Sequence, residues 1–265
     1  VDSGARRGRR LRQHTAAEVV EDVVAVGALQ DVDVGVRAVG SHSRTRTGGA
    51  ALILADARNT VAQSGKVEDG LIVTGASDKV YLTFDDGPDP DWTPRVLDAL
   101  DQARVQATFF AIGEQAQHLP ELVRRIHSAG HAIGNHTYSH RHPWFMSQRT
   151  ARAQVRDGAK VLSDVIGVAP RFYRPPHGRY RACMSDEAQR CGEKVVLWDV
   201  SAIDWGPLGT AEGIEKRLAA VKGGDIVLMH DGRNQHNRPD ELTKILPAFL
   251  RRLSERGLRA ELLPA

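Results

Sequence analysis

Apolar residues fall into two alternating patterns along this chain: short unbroken runs, and runs spaced three and four apart. VYLTF (80–84), ATFFAIG (107–113), KVVLWDV (194–200) and DIVLMHD (225–231) are continuous stretches of strand length, as a strand buried on both faces requires. HAIGNH (131–136) and RFYRPP (171–176) are shorter extended candidates. Helical spacing fills the gaps between them. TPRVLDALDQA (93–103) has Pro94 where a first helical turn accepts it, and PELVRRIHSAG (120–130) opens on Pro and closes on Gly. TARAQVRDGAKVLSDVIG (150–167) places Gly167 past its end, and LTKILPAFLRRLSERG (242–257) is a late amphipathic helix. Strands alternating with helices predict an α/β fold with a mainly parallel sheet, open or closed as a barrel. In both arrangements chemistry gathers at the carboxyl ends of the strands.

The aromatic residues divide the chain. No Phe, Trp or Tyr precedes Tyr81, so residues 1–77 lack large core side chains. Short patterns such as DVDVGV (31–36) and AALILA (50–55) suggest strands there without chemistry, and the cluster Arg6, Arg7, Arg9, Arg10 and Arg12 reads as a solvated terminus. The expected organisation is an N-terminal extension over 1–77, of no assignable structure, followed by one domain over 78–265. A net charge of +3 gives no argument for a nucleic-acid partner. No stretch approaches the roughly 20 apolar residues of a membrane span. No secretory signal is evident, because VVAVGAL (23–29) is short and follows Glu21 and Asp22. Cys183 and Cys191 are too few for a disulfide framework, and on a continuous helix they lie too far apart to pair.

The polar residues at the strand ends carry the functional signal. YLTFDDGPDP (81–90) ends a strand on Asp85 and Asp86. Asp-Gly and Gly-Pro are ordinary turn chemistry, but two bare carboxylates side by side repel unless a cation intervenes. HTYSH (136–140) offers His136 and His140, four apart and on one face if the segment is a helical turn. Two imidazoles and a carboxylate form a common zinc coordination set with a position left for water. Alone, H-x-x-x-H is weak, since such pairs often lie on solvated helices. In RPPHG (174–178), Arg174 is a permanent cation at a strand end, either a surface charge or the partner of a buried carboxylate. Asp204 and Trp205 lie in WDVSAIDW (198–205), and His230 ends the apolar strand IVLMH. A lone His there is more often structural, unless an Asp orients it. His118 and His142 have no evident partner and read as surface or packing residues.

TFDDGP (83–88), HTYSH (136–140), RPPHG (174–178), the Asp-Trp pair at 204–205 and LMH (228–230) occur in the order and approximate spacing of five motifs. Over residues 79–258 the chain resembles the polysaccharide deacetylase family, also called the NodB-homology or carbohydrate esterase family 4 domain. The resemblance implies a distorted, incomplete (β/α) barrel with a divalent metal at its mouth, zinc or else cobalt or another ion. It implies Asp86, His136 and His140 as metal ligands, Asp85 as general base held by Arg174, and His230 as general acid oriented by Asp204. Trp205 and Leu228 would line the acetyl pocket. His177 departs from the family, which has Tyr or Phe there; a backbone N–H donated from that position would survive the change, whereas a side-chain role would alter the sugar groove. The implied activity is removal of N-acetyl groups from an N-acetylglucosamine polysaccharide outside the cytoplasm; the sequence leaves the oligomeric state open, with a monomer as the expectation.

Three other readings use the same residues. Acetylxylan O-deacetylation needs the same machinery with an oxygen leaving group. A non-catalytic carbohydrate-binding domain would keep the groove alone. Two His and a carboxylate also hold non-haem iron, but that chemistry leaves Arg174, Asp204 and His230 without a use. Trp92, Tyr138, Trp144 and Trp205 are candidate flat faces for sugar rings.

Overall fold

The computed structural model describes residues 71–72 and 77–264; the strands suggested at 31–36 and 50–55 and the Arg cluster lie outside the described residues. Among the described residues nine strands form one parallel system: β1 (Leu71–Ile72), β2 (Lys79–Asp85), β3 (Thr108–Ala111), β4 (Ala132–Asn135), β5 (Phe172–Tyr173), β6 (Lys194–Val196), β7 (Val200–Ser201), β8 (Ile226–His230) and β9 (Arg259–Ala260). Among the described residues seven helices connect them: α1 (Thr93–Ala103), α2 (Gly113–His118), α3 (Pro120–Ser128), α4 (Gln148–Ile166), α5 (Ala182–Arg190), α6 (Ala211–Leu218) and α7 (Pro239–Glu255). Among the described residues no helix is long and apolar enough to cross a membrane.

The strand order is β1-β6-β5-β4-β3-β2-β8-β7, with β9 on the start of β2. That order forces curvature. In a flat sheet β6 and β7 would lie six strand spacings apart, about 29 Å. Yet only Leu197, Trp198 and Asp199 join them, a link that spans at most about 15 Å. The sheet therefore curls until its two ends approach, and no hydrogen bonds among the described residues join β1 to β7. The expected incomplete barrel is what forms.

Side-chain alternation places the core in two layers. From β2, Val80, Leu82 and Phe84 face outward and pack with Val227 and Met229 of β8 against α1, α3, α6 and α7. Tyr81 faces inward and packs with Phe110, Phe172, Val196 and Ile226. Both faces are covered, so the strands read as unbroken apolar runs. Helix signals hold well: Thr93–Ala103 forms as expected with Pro94 in its first turn, and α4 is capped by the Ser147 side chain and ends at Gly167 in the left-handed region.

KVVLWDV does not form one strand. It breaks after Val196 because the carbonyls of Val196 and Leu197 accept hydrogen bonds from the Arg174 guanidinium at 3.2 and 3.1 Å, and Asp199 then crosses to β8 through Ile226. The helices α2, α5 and α6 have only six to nine residues and leave no distinct pattern in the sequence. Cys183, in α5, and Cys191, at its end, are both free thiols.

Candidate metal centre and active site

Asp85 is the last residue of β2, and Asp86 follows with φ of 72°. This left-handed step breaks strand alternation, so two successive carboxylates reach one cavity instead of opposite faces. Asp85 and His230 are paired across the β2–β8 ladder, as are Thr83 and Leu228. These four residues share the inner face.

HTYSH is not helical. It is a loop with Thr137 and His140 at positive φ, 68° and 51°, so the expected helical face is replaced by a turn that brings the two rings together, centroids 4.8 Å apart. The loop has its own scaffold. Asn135 Oδ1 accepts from the Thr137 N–H at 3.0 Å, the Gln154 carbonyl from the Tyr138 N–H at 2.8 Å, and the first N–H groups of α2 donate to the carbonyls of Thr137 and Tyr138 at 2.9 and 2.7 Å. A helix's orphan N-terminal donors thus hold the candidate metal-binding loop.

Asp86 Oδ1 lies 3.4 Å from His136 Nε2 and 3.1 Å from His140 Nε2, and one ligand atom from each of the three residues falls within 4.8 Å of the others. Asp86 Oδ1 is buried and has no hydrogen-bond partner, although a buried carboxylate oxygen without one is costly. His136 Nδ1 donates to the Arg174 carbonyl at 2.8 Å, which leaves the Nε2 lone pair facing Asp86. The other oxygen, Asp86 Oδ2, accepts from Asn237 at 2.7 Å and Asn234 at 3.1 Å. An orphan oxygen and two imidazole lone pairs aimed at one point suit a divalent cation. The charges are arranged accordingly. Burial opposes ionisation of Asp86, but the neighbouring imidazoles of His136, His140 and His230 outweigh it and hold the carboxyl well below the usual range. Burial pushes His140 down to about 3, which favours the neutral, ligating ring.

Asp85 is tied differently. Its Oδ1 accepts from Arg174 Nη1 at 2.8 Å, while its Oδ2 lies 3.8 Å from His136 Nε2, beyond hydrogen-bond range. Arg174 is fully buried, with its guanidinium carbon 4.1 Å above the Phe110 ring; Nη1 also donates to Thr83 Oγ1 at 2.7 Å. The surface-charge reading of Arg174 is thereby excluded. Opposite Asp85, His230 Nδ1 donates to Asp204 Oδ1 at 2.8 Å and its backbone N–H donates to Asp204 Oδ2 at 2.7 Å. Burial opposes the charge on His230, but Asp204, followed by Asp86 and Asp85, raises it to about 9. Arg217 of α6 donates to the carbonyls of Ala202, Ile203 and Leu208 and so fixes the loop that carries Asp204. Trp205 meets the His230 ring edge-on at 5.4 Å, and Leu228 is buried one pleat below. His177 has φ of 57° in a short 3-10 turn, Pro176–Gly178, where first-turn N–H groups have no helical acceptor.

Sequence reasoning missed several contributors. Asn234 and Asn237, which hold Asp86, follow His230 in a polar run that looks like ordinary loop. Buried Asp231 accepts from Thr93 Oγ1 at 2.5 Å, and its backbone N–H donates to the Asp85 carbonyl at 3.2 Å. Burial raises its carboxyl to about 7. It lies where a side chain at position 87 would project, so only Gly87 fits there. His142 is a packing residue, one of the two roles expected for it: its ring stacks on His177 at 5.2 Å. His118 is exposed at the end of α2, as read.

Gly158, within α4, backs the HTYSH loop. A Cβ there would meet Asn135 Oδ1 at 2.5 Å and the Thr137 carbonyl carbon at 2.8 Å. Gly158→Ala gains about 0.5–1 kcal/mol from helix propensity but pushes on a rigid loop, an overpacking cost of about 1–3 kcal/mol. The expected result is a lower melting temperature and weaker metal binding; a raised melting temperature would show that the loop yields freely.

A profile of the polysaccharide deacetylase family matches residues 73–196. A peptidoglycan-N-acetylglucosamine deacetylase from Bacillus cereus is 36% identical over 189 residues, covering 71% of this chain and 67% of the relative. A chitooligosaccharide deacetylase from Sinorhizobium fredii is 37% identical over 195 residues, covering 73% and 85%. This chain belongs to the polysaccharide deacetylase family. The crystal structure of the Bc1960 peptidoglycan N-acetylglucosamine deacetylase, bound to a naphthalenyl N-hydroxybenzamide, superposes with a TM-score of 0.68 at 34% identity, over 74% of this chain and 91% of that one. The family resemblance drawn from five short motifs therefore extends to the fold, and the cluster at the barrel mouth is the deacetylase's candidate active site.

Proposed function

We propose that this deacetylase is a metal-dependent hydrolase that removes N-acetyl groups from N-acetylglucosamine-containing glycans and releases acetate. The observation that carries this reading is the split between neighbouring acids: Asp86 presents an orphan oxygen to two imidazoles, while Asp85 is withheld from them by Arg174.

Asp86, His136 and His140 would hold the ion, and two nitrogens with one oxygen suit Zn2+, with Co2+ as an alternative. When bound, such an ion polarises the amide carbonyl and acidifies water. The remaining work falls to the chain. Asp85, anchored through Oδ1, offers Oδ2 as base and takes a proton from the attacking water as its oxygen bonds to the acetyl carbon. The His177 N–H donates to the oxyanion that develops. His230, kept protonated by Asp204, passes its proton to the sugar nitrogen as the carbon–nitrogen bond breaks, giving acetate and a free amine. Leu228 and Trp205 bound the space for the acetyl methyl. The relatives' substrates are glycans found outside the cytoplasm, which supports an extracytoplasmic site of action.

The test is metal removal with an acetate-release panel over peptidoglycan, chitin oligomers and acetylated xylan. Chelated protein is expected to lose at least about a hundredfold in turnover, in line with several kcal/mol of transition-state stabilisation, and to recover with zinc or cobalt. Undiminished acetate release from fully stripped protein refutes the reading.

A further inference from the structure

The loops on the β4 and β5 side of the mouth hold features that proton transfer and metal binding leave unused. Residues 136–156 contain no Asp or Glu, and neither do residues 165–185. Arg141 follows His140 directly, and Arg179 follows His177 by two; neither has an acidic partner among the described residues. Basic charge therefore stands uncompensated beside the site.

Large rings stand beside it as well. Trp144 is 54% exposed and Phe145 81%, on a 3-10 turn, Pro143–Phe145. Rings run without a gap from the candidate ligand His140 to that turn: His140 to His177 at 4.7 Å, His177 to His142 at 5.2 Å, His142 to Phe145 at 4.6 Å. The Arg179 guanidinium lies over Trp144, 5.0 Å from the ring centre. The turn is held rigidly from behind, because Arg181 Nη1 donates to the carbonyls of Pro143 and Met146 at 2.6 and 2.8 Å and Met146 is buried. Aromatic rings that served only packing would be buried. Here the backbone is stapled and the rings are left in water, which is the arrangement of a preorganised binding face.

We propose that this rim is a subsite for a carboxylate-bearing sugar, the neighbour in the glycan of the unit that is deacetylated. The apolar face of the pyranose stacks on Trp144 and Phe145, and its acid pairs with Arg179, whose planar fork suits a carboxylate, while Arg141 adds charge. This rests on the hydrolytic reading above and narrows it, favouring acidic over neutral N-acetylglucosamine polymers.

Two tetrasaccharides of equal length test it on the zinc-loaded chain: the uncharged N-acetylglucosamine tetramer, and a peptidoglycan-derived tetramer in which alternate sugars carry a lactyl carboxylate. Calorimetry is expected to show about tenfold tighter binding of the acidic tetramer at low ionic strength, with the gap closing in high salt. Arg179→Gln should raise Kd and KM for the acidic tetramer about five- to tenfold while leaving kcat, and all constants for the neutral tetramer, in place. Trp144→Ala should weaken both; if it unfolds the chain, Phe145→Ala serves instead. Equal affinity of the wild type for the two tetramers, or an Arg179→Gln effect shared by both or absent from both, overturns the subsite. If the wild type releases acetate from neither, the hydrolytic reading fails, and the calorimetric preference still decides the subsite by itself.

Discussion

Asp85→Asn is expected to lower acetate release by about 10²–10⁴-fold, the range for losing a positioned general base, with metal affinity changed only a few-fold. The amide has the shape of the carboxylate and can still accept from Arg174, but it cannot take a proton. The atoms proposed to hold the ion belong to Asp86, His136 and His140, so the cavity keeps those groups. The substitution also leaves the buried Arg174 without its counter-charge, although the carbonyls of Val196 and Leu197 and the Thr83 hydroxyl still receive its protons. Melting temperature and zinc binding measured on the same preparation separate loss of the base from loss of the fold. Near-normal turnover in a folded, metal-loaded variant would assign the base elsewhere.

His230→Ala should cost as much for an amide substrate, because an amine leaves poorly without a proton; a turnover equal to wild type would remove His230 from the mechanism. The pH profile gives a second reading. Burial works against the charged ring, yet Asp204 and then the two acids across the cavity raise it from 6.5 to about 9. An acid must be protonated, so kcat/KM should hold through neutral pH and fall on an alkaline limb near that value. A cation on Asp86 cancels part of the anionic surroundings and moves the limb lower. Asp204→Asn removes the leading favourable charge and should move it lower still; a limb unmoved by that change would show that another group sets it. Stability has the same sign. The folded value exceeds the unfolded one, so the contribution is complete below about 6.5 and is lost as pH rises through about 9.

The chemistry was legible where one residue type has few other uses. Adjacent acids at a strand end, a pair of His and a permanent cation beside double proline pointed to the cavity that forms, and unbroken apolar runs marked the inner strands. Legibility ended where geometry depends on distant partners. HTYSH suggested a helical turn, but Asn135, Gln154 and the start of α2 bend it into a loop. KVVLWDV read as one strand because the guanidinium that interrupts it comes from Arg174, more than twenty residues earlier. Asn234 and Asn237 carried no signal, since an amide's role in holding Asp86 appears only when the loop after β8 folds back over it.

Because Asp85 and His230 face each other on one rung of adjacent strands, with β2 enclosed between β3 and β8, thermal breathing cannot easily part them. Separating proton acceptor from proton donor means melting the middle of the sheet, which is close to melting the whole domain. His136 is tied to the end of β3 through its N–H to the Ala111 carbonyl, but His140 hangs from loop hydrogen bonds outside that ladder, its N–H on Thr137 Oγ1 at 3.2 Å. Gentle warming is therefore expected to reach the proposed ion's cradle first, so that activity fades with metal release while the acid–base geometry is still whole.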